Sequence, residues 1–117
     1  MNLGSDEEIF ELPSPNHPLN YPNDLICLWS VSCINGRRIS ASIATGFNLE
    51  DGYDFLSFGD GEQADVETII AKLTGLSRVK TLTSAGESMW ILMSTDRTGT
   101  NMGFVVDLRQ ISEFAGN

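Results

Sequence analysis

Cysteine, histidine and positive charge are all in short supply in this chain of 117 residues, which has two cysteines, one histidine and seven Lys and Arg against sixteen Asp and Glu. Cys27 and Cys33 fit no C-x-x-C metal pattern. A continuous strand would hold them about 20 Å apart, whereas a disulfide needs Cα atoms within about 7 Å, so they are not expected to bridge. His17, between Asn16 and Pro18, reads as a surface or turn residue rather than the base of a catalytic triad. "GESMW" (86–90) lacks the second glycine of a nucleophile elbow, and "GDGEQ" (59–63) lacks the spacing and the Lys-Ser/Thr of a phosphate loop. The chain is therefore not expected to be an enzyme. A formal net charge of −9 disfavours nucleic acid and anionic membrane surfaces and favours a basic partner or a cation. No run of about 18 apolar residues is available for membrane insertion. The start "MNLGSDEEIFEL" has neither the basic beginning nor the apolar centre of a signal peptide, which suits a cytosolic protein or a module whose targeting segment lies elsewhere.

What the chain does have is the length for one domain, 1–117, able to bury roughly two thirds of its unfolded surface without a metal or a disulfide framework. Its first 24 residues hold all four prolines, in "LPSPNHPLNYPND", and cannot be a central strand or a helix interior. "LICLWSVSC", "RRISASIATGF" and "YDFLSF" read as strands, the first two joined by a hairpin at Asn35-Gly36. In the second, Ile39, Ala41 and Ile43 form an apolar face opposite Ser40, Ser42 and Ala44. "ADVETIIAKLTGL" reads locally as a helix, with Val66, Ile69, Ile70 and Leu73 on one side. "RVKTLTS", "SMWILMST" and "GFVVDLRQI" are strand-like, and "SEFAGN" reads as a frayed tail. Short strands at hairpin spacing argue for an antiparallel sandwich or barrel.

The acidic residues need separate treatment. A carboxylate pair for glycoside hydrolysis remains an unsupported analogy. An EF-hand beginning at Asp51 and ending at Glu62 fails, because Tyr53 and Phe55 occupy ligand positions and Leu56 stands where glycine must turn the chain. A calcium ion can instead take oxygens from separate loops. Glu50 and Asp54 flank the entry to "YDFLSF", and Asp96 follows another strand. These three form a candidate cluster beside the alternative of ordinary solvated loop acids.

"SPNHPLNYPNDLICLW" resembles the opening of CUB domains: an SPNYP-like turn, a second YP and a Cys-x-Trp strand. "YDFLSFGDG" is similar to their YDxLxIxDG, "LTG" to their Leu-Cys-Gly, and "MSTD…MGF" to their F-x-SD…GF ending. The resemblance runs in order from about residue 14 to residue 111. It implies an all-β fold of two antiparallel sheets in a jelly-roll-like sandwich, found in extracellular or secreted proteins, in which the helix-like segment becomes loop and strand and Trp29 is core. It also implies calcium as cofactor, with Glu50, Asp54 and Asp96 as ligands, a backbone carbonyl such as that of Thr98 or a water completing them where Gly99 replaces an asparagine, and the Tyr21 hydroxyl orienting a carboxylate. Tyr21, Glu50 and Asp96 would then face a protein partner through a basic, often lysine, contact, leaving Asp51 and Asp60 as turn acids. A carbohydrate-binding module with a platform drawn from Tyr21, Tyr53 and Phe58 is the alternative, and a noncatalytic segment of a secreted protease is a third reading. The family's second disulfide has Gly52 and Thr74 in its two places, and Cys27 lacks the N-terminal partner of the first; Cys33 has no counterpart in the family.

Overall fold

The computed structural model describes residues 1–43, 46–77 and 81–112. Ala44, residues 78–80 of "RVKTLTS" and residues 113–117 of the expected tail lie outside the described residues. The strands, in chain order, are β1 (Phe10–Pro13), β2 (Ile26–Ser32), β3 (Arg37–Ile43), β4 (Phe55–Asp60), β5 (Ile69–Leu73), β6 (Thr81–Thr83), β7 (Ser88–Ser94) and β8 (Val105–Ser112). They form two four-stranded antiparallel sheets, ordered β1-β8-β3-β6 and β2-β7-β4-β5. The expected two-sheet sandwich is the fold.

Successive side chains on a strand point to opposite faces, and the inner faces supply the core. Met89, Ile91 and Met93 of β7 meet Leu56 and Phe58 of β4 on one side, and Ile39, Ala41, Val106 and Leu108 of β3 and β8 on the other; all are fully buried. Burying such a side chain contributes about 1.5–3 kcal/mol. Nothing in this core requires a metal. Ile43 is only half-buried, while Ser40 is buried beside the apolar positions.

The expected hairpin between β2 and β3 does not form. β2 pairs with β7 in one sheet and β3 with β8 in the other, so Ile34–Arg37, closed by the Arg37 N–H donating to the Ile34 carbonyl (3.1 Å), carries the chain between sheets. Gly36, at φ +83°, makes that turn, so the Asn-Gly signal marked a turn correctly but not the pairing. The helix-like segment is likewise a single 3₁₀ turn, Val66–Thr68, followed by β5. Pairing with β4 and the β-branched character of Ile69 and Ile70 outweigh a helical pattern too short to propagate alone. Cys27, on β2, and Cys33, just past its end, are both free, as expected for cysteines separated by a continuous strand. Trp29, expected in the core, is half-buried at its edge, its ring meeting Phe104 edge-on with centroids 6.3 Å apart.

The fully buried tryptophan is Trp90, and it lies on the outer face of its sheet, since its neighbours Met89 and Ile91 point inward. Its indole crosses β4 over Gly59, where a Cβ would collide with the ring, and its Nε1 donates to Thr68 Oγ1 (2.9 Å). The 3₁₀ turn thus folds down onto the indole, capped by Asp65 Oδ1 accepting from the Glu67 N–H (2.9 Å). Gly59→Ala should force the indole off the sheet and destabilise the fold by about 1–3 kcal/mol, the usual cost of overpacking. Chemical denaturation would read this as a lower midpoint, with a red-shifted Trp90 emission; an unchanged midpoint would mean that the indole has room to move.

Candidate metal centre

The site lies at one end of the sandwich, where three loops meet. The first loop is anchored by Phe47 and Leu49, both buried, and by Asn48, whose backbone exchanges hydrogen bonds with Gly103 (2.9 and 3.0 Å). The chain then turns tightly, the N–H groups of Tyr53 and Asp54 both donating to the Glu50 carbonyl (3.2 and 3.0 Å), which brings Glu50 and Asp54 together. The second loop, after β7, is held by Thr95, whose Oγ1 accepts from the Leu25 N–H (2.8 Å) and donates to the Pro22 carbonyl (3.1 Å). The Asp24 N–H donates to the Asp96 carbonyl (2.7 Å), fixing the third loop, 21–25, against it.

Asp54 is wholly buried, yet both its oxygens are engaged. Oδ2 accepts from the Tyr21 hydroxyl (2.7 Å) and Oδ1 from the Asp96 N–H (2.9 Å). The Tyr21 hydroxyl in turn accepts from the Glu50 N–H (2.9 Å), so one buried phenol joins the strand entry to the turn above it. Burial first, and then the bond to Asp54, raise the Tyr21 pKa, so the phenol remains a donor at neutral pH. Asn101 was missed from the sequence. Its carbonyl accepts from the Tyr21 N–H (3.3 Å), and its side-chain oxygen, oriented to satisfy the amide, accepts from the Glu50 N–H (3.3 Å). Only its position two residues past the glycine at 99 hinted at this role.

The carboxylates of Glu50, Asp54 and Asp96 bring one oxygen each to within 4.8 Å of one another. Among the described residues no lysine or arginine pairs with them. Glu50 Oε1 is buried without a hydrogen-bond partner, a costly state for a carboxylate oxygen. Gly99 stands beside it at φ +87°, a conformation that favours glycine, and a Cβ there would displace the Glu50 carboxylate. Thr98 donates its N–H to Asp96 Oδ1 (3.3 Å), holding that side chain toward the loop. Two oxygens on opposite sides of an ion at about 2.4 Å would stand about 4.8 Å apart, so the spacing and the orphaned oxygen suit a hard, oxygen-seeking cation.

The CUB domain family profile matches residues 5–108. The chain belongs to the CUB domain family. Cubilin of Canis lupus familiaris is 31% identical over 97 residues, 80% of this chain but 3% of that protein, and Blastula protease 10 of Paracentrotus lividus is 35% identical over 104 residues, 84% of this chain and 17% of that one. The chain thus spans a small part of the curated relatives it matches. Among solved structures, the extracellular region of zebrafish Gpr126/Adgrg6 superposes with a TM-score of 0.78 at 25% identity, covering 96% of this chain and 14% of that one. The Ca²⁺-bound CUB2 domain of MASP-1 superposes with a TM-score of 0.76 at 19% identity, covering 92% and 96% of the two chains. CUB domains are, as a family, generally non-catalytic protein-interaction modules.

As a CUB domain the chain departs from its family beneath the site. Where the resemblance places the second disulfide, the Gly52 N–H donates to Thr74 Oγ1 (2.9 Å), and that hydroxyl faces the carbonyls of Asp54 (2.7 Å) and Glu50 (3.2 Å). A hydroxyl therefore ties the turn that a covalent bond would hold. The three residues considered for a carbohydrate platform do not form one together: Tyr21 and Phe58 are buried, and of the three only Tyr53 is exposed. Asp51 and Asp60 lie outside the carboxylate cluster.

Thr74→Val, which removes the hydroxyl but keeps the shape, should lower stability by about 1–2 kcal/mol, since it leaves the Gly52 N–H and a carbonyl unpaired. Thr74→Ser should restore most of that loss, and equal stability of all three proteins in urea would dismiss the tie. Burial, then the charges of Asp96 and Asp54, push the Glu50 carboxyl above its ordinary value of 4.5. The cation-free folded chain accordingly holds this proton more tightly than the unfolded chain, and it loses stability as pH rises from 4.5 through the raised folded value. In chelator at pH 7, Glu50→Gln should melt higher than wild type, and the gap should close below pH 4.5. A lower melting point for Glu50→Gln at pH 7 would contradict this electrostatic account.

Proposed function

We propose that this CUB domain is an extracellular, non-enzymatic recognition module that binds one calcium ion through Glu50, Asp54 and Asp96, and that the ordered loops dock a protein partner. The observation that carries the reading is the convergence of three carboxylates with which no lysine or arginine among the described residues pairs, with Glu50 Oε1 buried and unpartnered. A divalent cation offsets their repulsion and supplies the missing partner. The Thr98 carbonyl or water completes the coordination. Among the solved structures superposed above, the CUB2 domain of MASP-1 is one bound to Ca²⁺, and the Gpr126/Adgrg6 fragment is an extracellular region, which supports both metal and compartment.

Glu50 and Asp96 are half-exposed, so part of each carboxylate remains available beyond the ion. A lysine of the partner meets those oxygens, and the net charge of −9 draws it in. Tyr21, 1% exposed, supports the ligands from below and leaves the direct contact to Glu50 and Asp96. The relation to Blastula protease 10 is compatible with this module serving as a noncatalytic part of a secreted protease, where its role would be the same.

Asp96→Ala should weaken calcium binding beyond the roughly 10–100-fold expected for an outer partner of a ligand, while the far-ultraviolet β signature persists because the core is independent of the site. Asp51→Ala and Asp60→Asn remove the same charge without removing a ligand, the latter keeping the acceptor for the Ala85 N–H. Calorimetric titration checks this; equal weakening by all three substitutions would reduce the site to diffuse acidity.

A further inference from the structure

We propose that the outer face of the β2-β7-β4-β5 sheet is a second docking surface, which takes a polypeptide segment with an apolar side chain beside lysine or arginine and works without calcium. The surface is a groove of about 250 Å³ floored by Trp90 and Leu92 and walled by Val66, Ile69, Ser57 and Lys72. Val66 is 82% exposed and Ile69 40% exposed, although soluble domains rarely leave contiguous apolar surface open without use. The apolar strip continues across the sheet, because Leu28, 54% exposed, stands opposite Leu92 in the β2–β7 register.

Charge selects the occupant. Ala64 and Asp65 are shared between the groove and an adjoining bowl of about 400 Å³ that Asp60 and Glu62 also line. Asp65 Oδ1 accepts from the Glu67 N–H of its own turn and Asp60 Oδ1 from the Ala85 N–H of the loop before β7, and among the described residues no cationic side chain pairs with either carboxylate. Lys72, the basic residue of the groove, is committed over the Phe55 ring at the far end of β4, 4.4 Å from its centroid. An apolar slot beside an unneutralised acidic bowl fits a segment whose anchor is followed by basic residues. A second copy of the chain would bring another net charge of −9 against the bowl.

This surface is distinct from the cation site. Asp54 precedes β4 and Asp60 ends it, so the acidic bowl lies about 20 Å along the strand from the cation site, and Ser57, in the wall of the groove, is three residues or about 10 Å from Asp54. The two surfaces can therefore be tested apart.

Random peptides displayed on phage should be selected on the whole chain in excess chelator, and the enriched sequences synthesised and measured by fluorescence polarisation. The expected result is peptides pairing an apolar residue with Lys or Arg, whose binding weakens at least tenfold with Val66→Ser and with Glu62→Gln/Asp65→Asn, while Asp96→Ala and added calcium leave it unchanged. Val66 and Glu62 are exposed, and Asp65→Asn keeps the acceptor that caps the turn, so these variants should fold. No enrichment, or enriched peptides indifferent to these substitutions, would overturn the proposal. A concentration-dependent dimer in sedimentation velocity that Val66→Ser abolishes would also overturn it, by assigning the face to a second copy.

Discussion

Asp54 is a carboxylate buried to 0% exposure at the mouth of a β-sandwich, and its two oxygens decide how the surrounding loops lie. Burying an ionised group is costly unless hydrogen bonds compensate, and here the compensation comes from two different loops, through the Tyr21 hydroxyl and the Asp96 N–H. Satisfying this one carboxylate therefore positions Tyr21 beneath the site and the Asp96 backbone beside it. The same Tyr21 hydroxyl takes the Glu50 N–H, so the first loop is set by the same contact. What remains exposed after that arrangement is the remainder of Glu50 and Asp96, held close with like charges.

The cation-free site is in this sense frustrated, and the frustration is confined. The core below it is closed by apolar side chains from both sheets, which keep their contacts whatever the loops do. The tie under the turn is a hydroxyl with one proton to give, where a disulfide would contribute about 2–4 kcal/mol and could not open. Hydrogen bonds of this kind contribute about 0.5–1.5 kcal/mol each. A loop tied in this way would respond to a bound ion more readily than a covalently stapled one.

Much of this was legible in the sequence, for reasons that differ by residue. Asp54 and Tyr21 sit in short motifs, YD and YP, whose neighbours fix their direction, so the resemblance carried them directly. Strand existence followed from β-branched and aromatic runs, because those side chains suit a pleated surface. Strand partnership did not follow. Asn35-Gly36 signals a turn, and a turn between sheets has the same local chemistry as one between neighbours, so β2 and β3 were wrongly paired. Thr74 was noticed only as a missing cysteine. Its three-way contact depends on the approach of Gly52 from another segment, which no local pattern encodes. Asn101 was overlooked for the same reason.

Trp90 shows where pattern reading fails most instructively. In "SMWILMS" every central residue is apolar, so alternation cannot tell the inward face from the outward one. The structure turns Met89, Ile91 and Met93 inward and leaves the largest side chain outside, where burial must be supplied by something other than the opposing sheet. Gly59 supplies it from below by having no side chain, and the 3₁₀ turn supplies it from above through Thr68. The turn that covers the indole is the segment that local periodicity had read as a helix. Its own outward residue, Val66, finds no cover, so closing over Trp90 moves the unmet apolar surface outward rather than removing it.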